Sequence, residues 1–275
     1  MALGYIAYRI IFGMGYHWQW HVIPQYIVRY DAERRQWIPN LLLEGLIATF
    51  RLSIWATLMA IGIGTVMGLF RVTRRPFLRM VSRGYVELVR NLPPLVLIFI
   101  SYYFISSQIM SHFDINAWAK SRPDGWQEVM AFFLASPKHL SAFLSAVATL
   151  AVLEGAYITE IVRAGIEAVH WGQREAAYAQ GFTRGQTMRH IIFPQALPQI
   201  LPPLSGQLIS TIKDSAIVSV ISIQELTFQG MELMSATYLT FEIWITITVM
   251  YLLLTFSCSL AVQYIEAAVK RRHGN

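Results

Sequence analysis

Long runs of apolar residues dominate the hydrophobic pattern of this 275-residue chain. Each run has the roughly 20 residues that a helix needs to cross about 30 Å of hydrocarbon. The five runs are Leu41–Phe70, Tyr85–Ser107, Leu140–Gly165, Leu204–Ile223 and Phe241–Val269. Because lipid offers no partner to a backbone amide, these runs must form helices rather than open strands. The pattern predicts an all-α, polytopic membrane protein with about five transmembrane helices.

The composition agrees with this class, since 55% of the residues are hydrophobic and only 14% are charged. Soluble domains carry about 25% charged residues. The pI of about 9.5 alone could indicate a nucleic-acid partner. In a membrane protein, however, the positions of the basic residues are more informative than their sum. We therefore expect membrane lipid, and no nucleic acid, around this chain.

The basic residues predict an orientation. Five arginines and no acid lie between residues 71 and 83, and basic residues also predominate in 163–194 and in 270–275. The connection 224–240 has two glutamates and no base, and 108–139 is balanced. The positive-inside rule places the first three segments in the cytoplasm. With five spans, the N-terminus lies outside and the C-terminus lies in the cytoplasm.

The N-terminal residues 1–40 do not fit a span. Their apolar part, Leu3–Phe12, is too short to cross the bilayer, so we expect an interfacial helix and then an aromatic-rich external segment. A sixth, partial span is the alternative. The predicted organisation continues with one transmembrane domain, 41–269, which carries a cytoplasmic loop at 166–194, and a basic tail, 270–275.

The cytoplasmic loop has the pattern of two short helices. Strong helix formers run from Gln173 to Gln180, and Gly181 then stops the helix. Thr183 is a suitable N-cap for a second helix, which we expect to end before Pro194. Such a protrusion has little use in a minimal membrane protein unless a partner docks there.

Six residues of this loop stand at fixed spacings: Glu175, Ala176, Ala177, Gly181, Ile191 and Pro194. Their pattern resembles the EAA loop of ABC importer permeases, with Phe193 in place of the usual leucine. The resemblance implies a coupling helix that sits in a cleft of a cytoplasmic ATPase. It also implies that Glu175 makes polar contact with the ATPase, that the two alanines permit close approach, and that Gly181 makes the turn.

Further segments resemble the polar amino acid branch of this family, the histidine, glutamine and arginine permease type. They are residues 85–95, 156–165, 172–175, 193–196 and 213–215. The resemblance covers about Leu41–Ile265 and implies the type I ABC importer permease fold in the bacterial cytoplasmic membrane. Asn91–Pro94 and Ser215–Ile217 depart from the family's usual residues, so the resemblance does not identify the amino acid.

The resemblance also implies partners. They are a cytoplasmic ABC ATPase dimer, a second permease subunit (an identical chain or a sister chain) and an external solute-binding protein. ATP and Mg would be bound by the ATPase and no cofactor by this chain. The sequence has no phosphate-binding loop of the Gly-x-x-x-x-Gly-Lys type, so we expect no enzymatic activity of its own.

Four ionisable residues lie inside apolar runs: Arg51, Glu154, Lys213 and Asp214. A charge at the centre of a bilayer costs about 2.5–3.5 kcal/mol on insertion scales, so such residues usually face a cavity or one another. Lys213 and Asp214, with Glu154 opposite, could bind a zwitterion. The alternative is an ion pair that only holds helices or subunits together. Arg51 could equally extend to an interface.

Prolines predict breaks in two spans. Arg90, Asn91, Pro93 and Pro94 interrupt the second, and Pro194, Pro198, Pro202 and Pro203 precede the fourth. Broken helices in membranes line cavities or are covered by protein, which makes these residues candidates for a pathway or gate. A kink set only by packing is the alternative. In the first span, Gly64 and Gly68 form a small-xxx-small face for close helix contact.

Two other function classes are compatible with a polytopic chain. A secondary amino acid transporter driven by an ion gradient could use the intramembrane charges, but it predicts an internal repeat that the five runs do not display. It also leaves Glu175 to Pro194 unexplained. A membrane scaffold predicts no charges at mid-membrane. The importer permease is the interpretation that accounts for both features.

Overall fold

The chain folds almost entirely into helices in a computed structural model, which describes residues 16–33, 35–106, 108 and 112–273. The helices are α1 (Pro24–Ile27), α2 (Leu41–Val72), α3 (Pro76–Asn91), α4 (Pro94–Phe99), α5 (Ile115–Lys120), α6 (Asp124–Phe133), α7 (Leu140–Glu167), α8 (Trp171–Ala179), α9 (Arg184–Gln186), α10 (Phe193–Asp214), α11 (Leu226–Thr237) and α12 (Thr240–His273). Strands β1 (Val28–Asp31) and β2 (Gln36–Pro39) form an antiparallel hairpin. Two 3-10 segments (Trp20–Val22 and Ser215–Ile221) and two π-helical segments (Ile100–Ser106 and Thr187–Ile192) complete the described elements.

Three of the five predicted spans are single continuous helices. Within the described residues, α2, α7 and the part of α12 from Thr240 to Tyr264 are long and apolar enough to cross a membrane. Helix α12 continues to His273, into the predicted basic tail. The predicted interfacial helix at Leu3–Phe12 lies outside the described residues.

The other two predicted spans are not single helices. The second is a bent pair, in which α3 and the helix after Pro94 meet at 115°. The fourth was predicted at Leu204–Ile223, but α10 begins at Phe193 and ends at Asp214, and a 3-10 segment follows. Its charged residues and four prolines dilute the apolar pattern, and α10 is not among the described helices that are long and apolar enough to cross a membrane.

Helices α2 and α7 run parallel in direct contact. Leu52 in α2 packs with Phe143 near the start of α7, and Arg71 at the end of α2 pairs with Glu160, at 3.1 Å, near the end of α7. Between these points, a Cβ atom at Gly64 would lie 2.5 Å from Cγ2 of Ile158. The equivalent distance from Gly68 to Cγ1 of Val162 is 2.7 Å. The close contact predicted for the two glycines is confirmed.

The bundle has two ends of different character. One end, the arginine end, is formed by residues 71–83 and 160–192, where Arg174 donates to the Ile166 carbonyl and residues 69–75 share a cavity with α8. At the opposite end, residues 39–51, 131–143 and 222–229 surround a cavity of about 390 Å³. This division agrees with the predicted separation of the basic loops from the others.

The described part of the N-terminal segment packs on the opposite end. Tyr16 donates a hydrogen bond to the Glu242 carboxylate at the start of α12, and this bond raises the pKa of Tyr16 to about 12. The Gln19 amide donates to the same carboxylate. Trp18 and Trp20 stack with ring centroids 5.6 Å apart. Tyr16 and Trp18 of the predicted aromatic-rich segment therefore pack on Phe241 in the first turn of α12.

Replacing Gly64 by alanine should destabilise the bundle by about 1–3 kcal/mol, because the new methyl group overpacks the contact with Ile158. Gly62 is the matched control on the same helix, since a Cβ atom there meets nothing within 4 Å. Alanine at Gly62 should be neutral or stabilising through its better helix propensity. Thermal unfolding in mild detergent measures both, and equal melting temperatures for the two variants would contradict the packing.

Candidate functional site

The protrusion at the arginine end consists of α8 and the turn that follows it. His170 caps the first turn of α8 by accepting a hydrogen bond from the Gly172 amide at 3.1 Å. At the other end the Phe182 amide donates to the Ala177 carbonyl, and the Gly181 amide donates to the Tyr178 carbonyl. These two bonds define a Schellman turn, which needs a left-handed residue. Gly181 supplies it with a φ of +84°.

The two faces of α8 differ. Ala177 is buried against the protein, whereas Ala176 and Glu175 are exposed. Trp171 and Tyr178 are also exposed, by 56% and 42%. Trp171 lies about one turn before Glu175 and Tyr178 about one turn after it, so all three lie on the same side of α8. The Trp171 indole N–H donates to the Glu175 carboxylate at 2.8 Å. The protrusion therefore presents two aromatic rings and a carboxylate to the outside, in a fixed arrangement.

The return from the protrusion differs from the prediction. Thr183 caps α9 in a capping box with Gln186, as predicted. The second helix does not end before Pro194, however, because α9, the π-helical segment Thr187–Ile192 and α10 follow one another without a gap. Proline is tolerated in the first turn of a helix, where its missing N–H is not needed, and Pro194 occupies that position in α10. Ile191, half-buried, lies in the π-helical segment that leads into α10.

Prolines have different effects in the two predicted breaks. Pro93 and Pro94 separate α3 from α4 and produce the 115° bend. Pro198, Pro202 and Pro203 instead lie inside α10, so the predicted interruption before the fourth span is wrong. The helix continues through these three positions although a proline has no backbone N–H to donate.

The bend at Pro93 lies beside α7, and both of its prolines are exposed. The Tyr85 hydroxyl, two turns earlier in α3, donates to the Val152 carbonyl in the middle of α7 at 2.6 Å. Arg90 is exposed and stands over the ring of Tyr157 with Cζ 5.5 Å from its centroid. Asn91 closes α3 by donating its side-chain amide to the Glu87 carbonyl. Helix α3 thus runs from the arginine end toward the middle of α7. Arg90 and the backbone groups of the last turn of α3 lie at the bend.

Glu154 is the centre of a polar cluster between α7 and α10. Its side chain is 1% exposed and accepts a hydrogen bond from the Gln207 amide. The carboxyl group of Asp214 and the hydroxyl of Thr211 adjoin it. Oε1 of Glu154 has no hydrogen-bond donor among the described residues. The structure therefore brings together two of the three charges that the sequence grouped.

Lys213 does not join this cluster. Its side chain is exposed, and the structure gives it no ion pair among the described residues, although Asp214 is its neighbour in the chain. The structure therefore brings Asp214 to Glu154 but does not bring Lys213 to either of them. A helix places adjacent residues about 100° apart, so Asp214 can face α7 only if Lys213 faces away. Gln207, and not Lys213, contacts Glu154. Gln207 was not among the predicted site residues, although a polar residue one turn before Thr211 in an apolar run indicates a buried polar contact.

Arg51 lies at the opposite end from the protrusion. Its Nη1 donates to the Ala131 carbonyl at 2.7 Å, and the Trp55 indole donates to the Phe133 carbonyl at 2.9 Å. Both carbonyls belong to the last turn of α6, where backbone acceptors have no partner within the helix and a cation is favourable. Arg51 therefore holds α6 to α2.

A second buried carboxylate, Glu225, was not a sequence candidate. Its Oε1 caps α11 by accepting from the Phe228 amide at 2.8 Å, and its Oε2 accepts from the hydroxyls of Tyr251 at 2.7 Å and Thr49 at 3.3 Å. Glu225 and Thr49 are both 0% exposed. One carboxylate therefore joins α2, α11 and α12. The sequence places Glu225 in a polar connection, and only the tertiary structure reveals its burial.

Comparisons with known proteins agree with this architecture. A sequence model of the family described as binding-protein-dependent transport system inner membrane component matches residues 37–271. The probable glutamine ABC transporter permease protein GlnM of Bacillus subtilis (strain 168) is 30% identical over 85% of this chain and 95% of its own length. The glutamine transport system permease protein GlnP of Escherichia coli (strain K12) is 31% identical over 84% of this chain and 93% of its own.

A solved structure has the same fold. In a crystal structure of an amino acid ABC transporter with histidines, one chain is 32% identical and superposes with a TM-score of 0.65. The superposition covers 83% of this chain and 94% of the other. The predicted fold class, a type I importer permease fold, is confirmed.

Replacing Glu225 by alanine should lower the free energy of unfolding by about 1–3 kcal/mol, because it removes the acceptor of the buried Thr49 hydroxyl, of the half-buried Tyr251 hydroxyl and of the first turn of α11. Glu232, exposed on the same helix, is the matched control, and its alanine variant should unfold like the wild type. Thermal unfolding followed by intrinsic fluorescence distinguishes them. A Glu225 variant as stable as the Glu232 variant would refute the assigned role.

Proposed function

Since this chain belongs to the family of binding-protein-dependent transport system inner membrane components, we propose that it is the permease subunit of an ATP-driven importer of polar amino acids. The observation that carries the proposal is the protrusion of α8, with its Schellman turn at Gly181 and its exposed Trp171, Glu175 and Tyr178. The names of the relatives, which include glutamine permeases, support amino acids as the substrate class.

The protrusion is suited to transmit force from a separate ATPase. Its cap at His170 and its turn at Gly181 fix both ends of α8, and buried Ala177 holds the inner face. The continuous path from Thr183 into α10 connects the protrusion rigidly to a helix of the bundle. Movement of α8 by a docked ATPase would therefore move α10, which carries Asp214 and the partner of Glu154, Gln207.

The orientation and partners follow from the docking site. An ATPase that binds α8 places the arginine end in the cytoplasm, as the positive-inside rule requires. The N-terminal segment, α6 and α11 then face outside, where a solute-binding protein would deliver its ligand. A second permease chain, identical or a sister, would complete the transport unit. ATP and Mg belong to the ATPase, and this chain supplies no catalytic residue.

Three of the pathway candidates are exposed polar residues within predicted spans. They are Arg90 and Asn91 at the bend and Lys213 at the end of α10, and lipid would penalise their polar groups there. A neighbouring subunit or a water-filled pathway would accommodate them. A zwitterionic substrate offers a carboxylate to the two cations, whereas the buried Glu154 cluster is better placed to join α7 to α10.

An ion-gradient carrier is the alternative function. It could also use the Glu154 cluster, but it has no use for a rigid protrusion with an exposed Trp171–Glu175 pair. The two functions differ in whether a separate ATPase binds this chain.

Gly181→Asp should abolish ATPase binding, because a side chain at a φ of +84° strains the turn and reorients α8. Gly125 is the matched control: it also has open space around it, but it lies on α6 at the other end. The tagged chain is purified in mild detergent from its host, and co-purifying proteins are identified by mass spectrometry. We expect a stoichiometric ATPase with the wild type and with Gly125→Asp, and its loss with Gly181→Asp. Retention of the ATPase by Gly181→Asp would contradict the docking site, as would its absence from the wild type.

Lys213→Ala should reduce amino acid uptake by roughly tenfold or more, since the loss of one hydrogen bond to a charged group costs about 1.5–3 kcal/mol. ATPase co-purification should be unchanged. Lys138→Ala, outside the spans, is the control and should transport normally. Uptake in membrane vesicles measures the effect, and normal uptake by Lys213→Ala would remove the lysine from the pathway.

A further inference from the structure

A further cavity at the arginine end, next to the one that residues 69–75 share with α8, has a volume of about 440 Å³. It lies between the end of α2, the first half of α3 and the end of α7. Its lining is unusual, because all but two of the lining residues are arginines: Arg71, Val72, Arg79, Arg83, Arg163, Glu167 and Arg174. The proposed transport and docking roles use none of this cavity except Arg174, which lies on α8.

The acidic residues around the cavity do not neutralise it. Glu160 bridges Arg71 and Arg163 from behind, and Glu167 pairs with Arg163. Glu87 pairs with Arg83, and both side chains are more than half exposed. Five arginines thus stand against three glutamates. Arg74 and Arg75 lie at the rim of the adjoining cavity and add to the excess. The local field favours an anion.

Several guanidinium groups retain free donors. Arg79 is exposed, and its guanidinium makes one hydrogen bond to the described part of the chain, from Nη2 to the Thr73 carbonyl. A guanidinium has five N–H donors arranged as a fork that fits a phosphate group. Arg79 and Arg83 are four residues apart on α3, so both project from the same side of that helix into the cavity.

The surroundings of the cavity fix its depth. The uncharged run 52–70 of α2 is about as long as the hydrocarbon layer is thick, and it ends immediately before Arg71 of the cavity, so the cavity lies close to the headgroup layer. On the same turns of α3, Met80 follows Arg79 in the chain, flanks the arginine face of the helix and is 64% exposed. An exposed apolar side chain at the edge of an arginine-lined cavity matches a ligand that has an anionic head and apolar chains. A soluble phosphate would make no contact with this side chain, and an acidic protein surface would leave it in water.

We infer that this cavity binds the headgroup of an anionic phospholipid, with Arg79 and Arg83 as its outer donors and an acyl chain against Met80. Basic pockets between membrane helices on the cytoplasmic side are suited to such headgroups. The bound lipid would fill the space between the base of the protrusion and α3. The inference does not depend on which solute is transported.

Native mass spectrometry of the full chain in mild detergent tests the inference. The chain is titrated with phosphatidylglycerol and with phosphatidylcholine of the same acyl chains. The double variant Arg79→Gln/Arg83→Gln is compared with Arg29→Gln/Arg122→Gln, which removes two exposed arginines from the opposite end. We expect the wild type to prefer phosphatidylglycerol, and the first variant to bind it about 10–30-fold more weakly, since each arginine near a membrane surface contributes about fivefold. The second variant should bind like the wild type.

Four results would overturn the inference, three of them from the lipid titrations. They are equal binding of the two lipids by the wild type, equal losses in the two double variants, and displacement of the lipid by a molar excess of inorganic phosphate, which would identify a free-phosphate site. Displacement by the purified ATPase would identify a protein contact and overturn it as well. Arg79→Lys/Arg83→Lys keeps the charge and should retain the preference, so a folding defect in the glutamine variant does not decide the outcome.

Discussion

The parallel contact of α2 with α7 is the constraint on which the rest of the structure depends. Gly64 and Gly68 let Ile158 and Val162 approach to a distance that no larger residue permits. Two parallel spans that are neighbours in the bundle need a return crossing between them. The bent pair around Pro93 supplies part of that crossing and therefore packs on both helices, through the Ser82 bond to Met67 and the Tyr85 bond to Val152.

The positions of the polar groups within the bundle also depend on this helix packing. A charged side chain in lipid is costly unless another polar group meets it. Arg71 at the end of α2 meets Glu160 of α7, and Glu154 of α7 meets Gln207 of α10. Glu225 connects α2 to α11 and α12. These contacts link each neighbouring helix to the central pair. A displacement of α10 by the protrusion would therefore move Gln207 relative to Glu154.

Local chemistry explains which parts of the fold the sequence predicts. The runs at α2, α7 and α12, the close approach at Gly64, the turn at Gly181 and the cap at Thr183 each depend on residues within a few positions of one another. The missed features depend on distant residues. Thr49 is 176 positions from Glu225, and Gln207 is 53 positions from Glu154. The continuity of α10 through its prolines was also missed, because proline marks a break only when neighbouring helices do not support the segment.

The central claim is that transport is driven by a separate ATPase acting on the α8 protrusion. The direct measurement is amino acid uptake into proteoliposomes that contain this chain with its co-purified subunits and the solute-binding protein. We predict uptake that requires internal ATP and the binding protein, and that persists when ionophores abolish ion gradients. Uptake by the chain alone, driven by a sodium or proton gradient without ATP, would contradict the account.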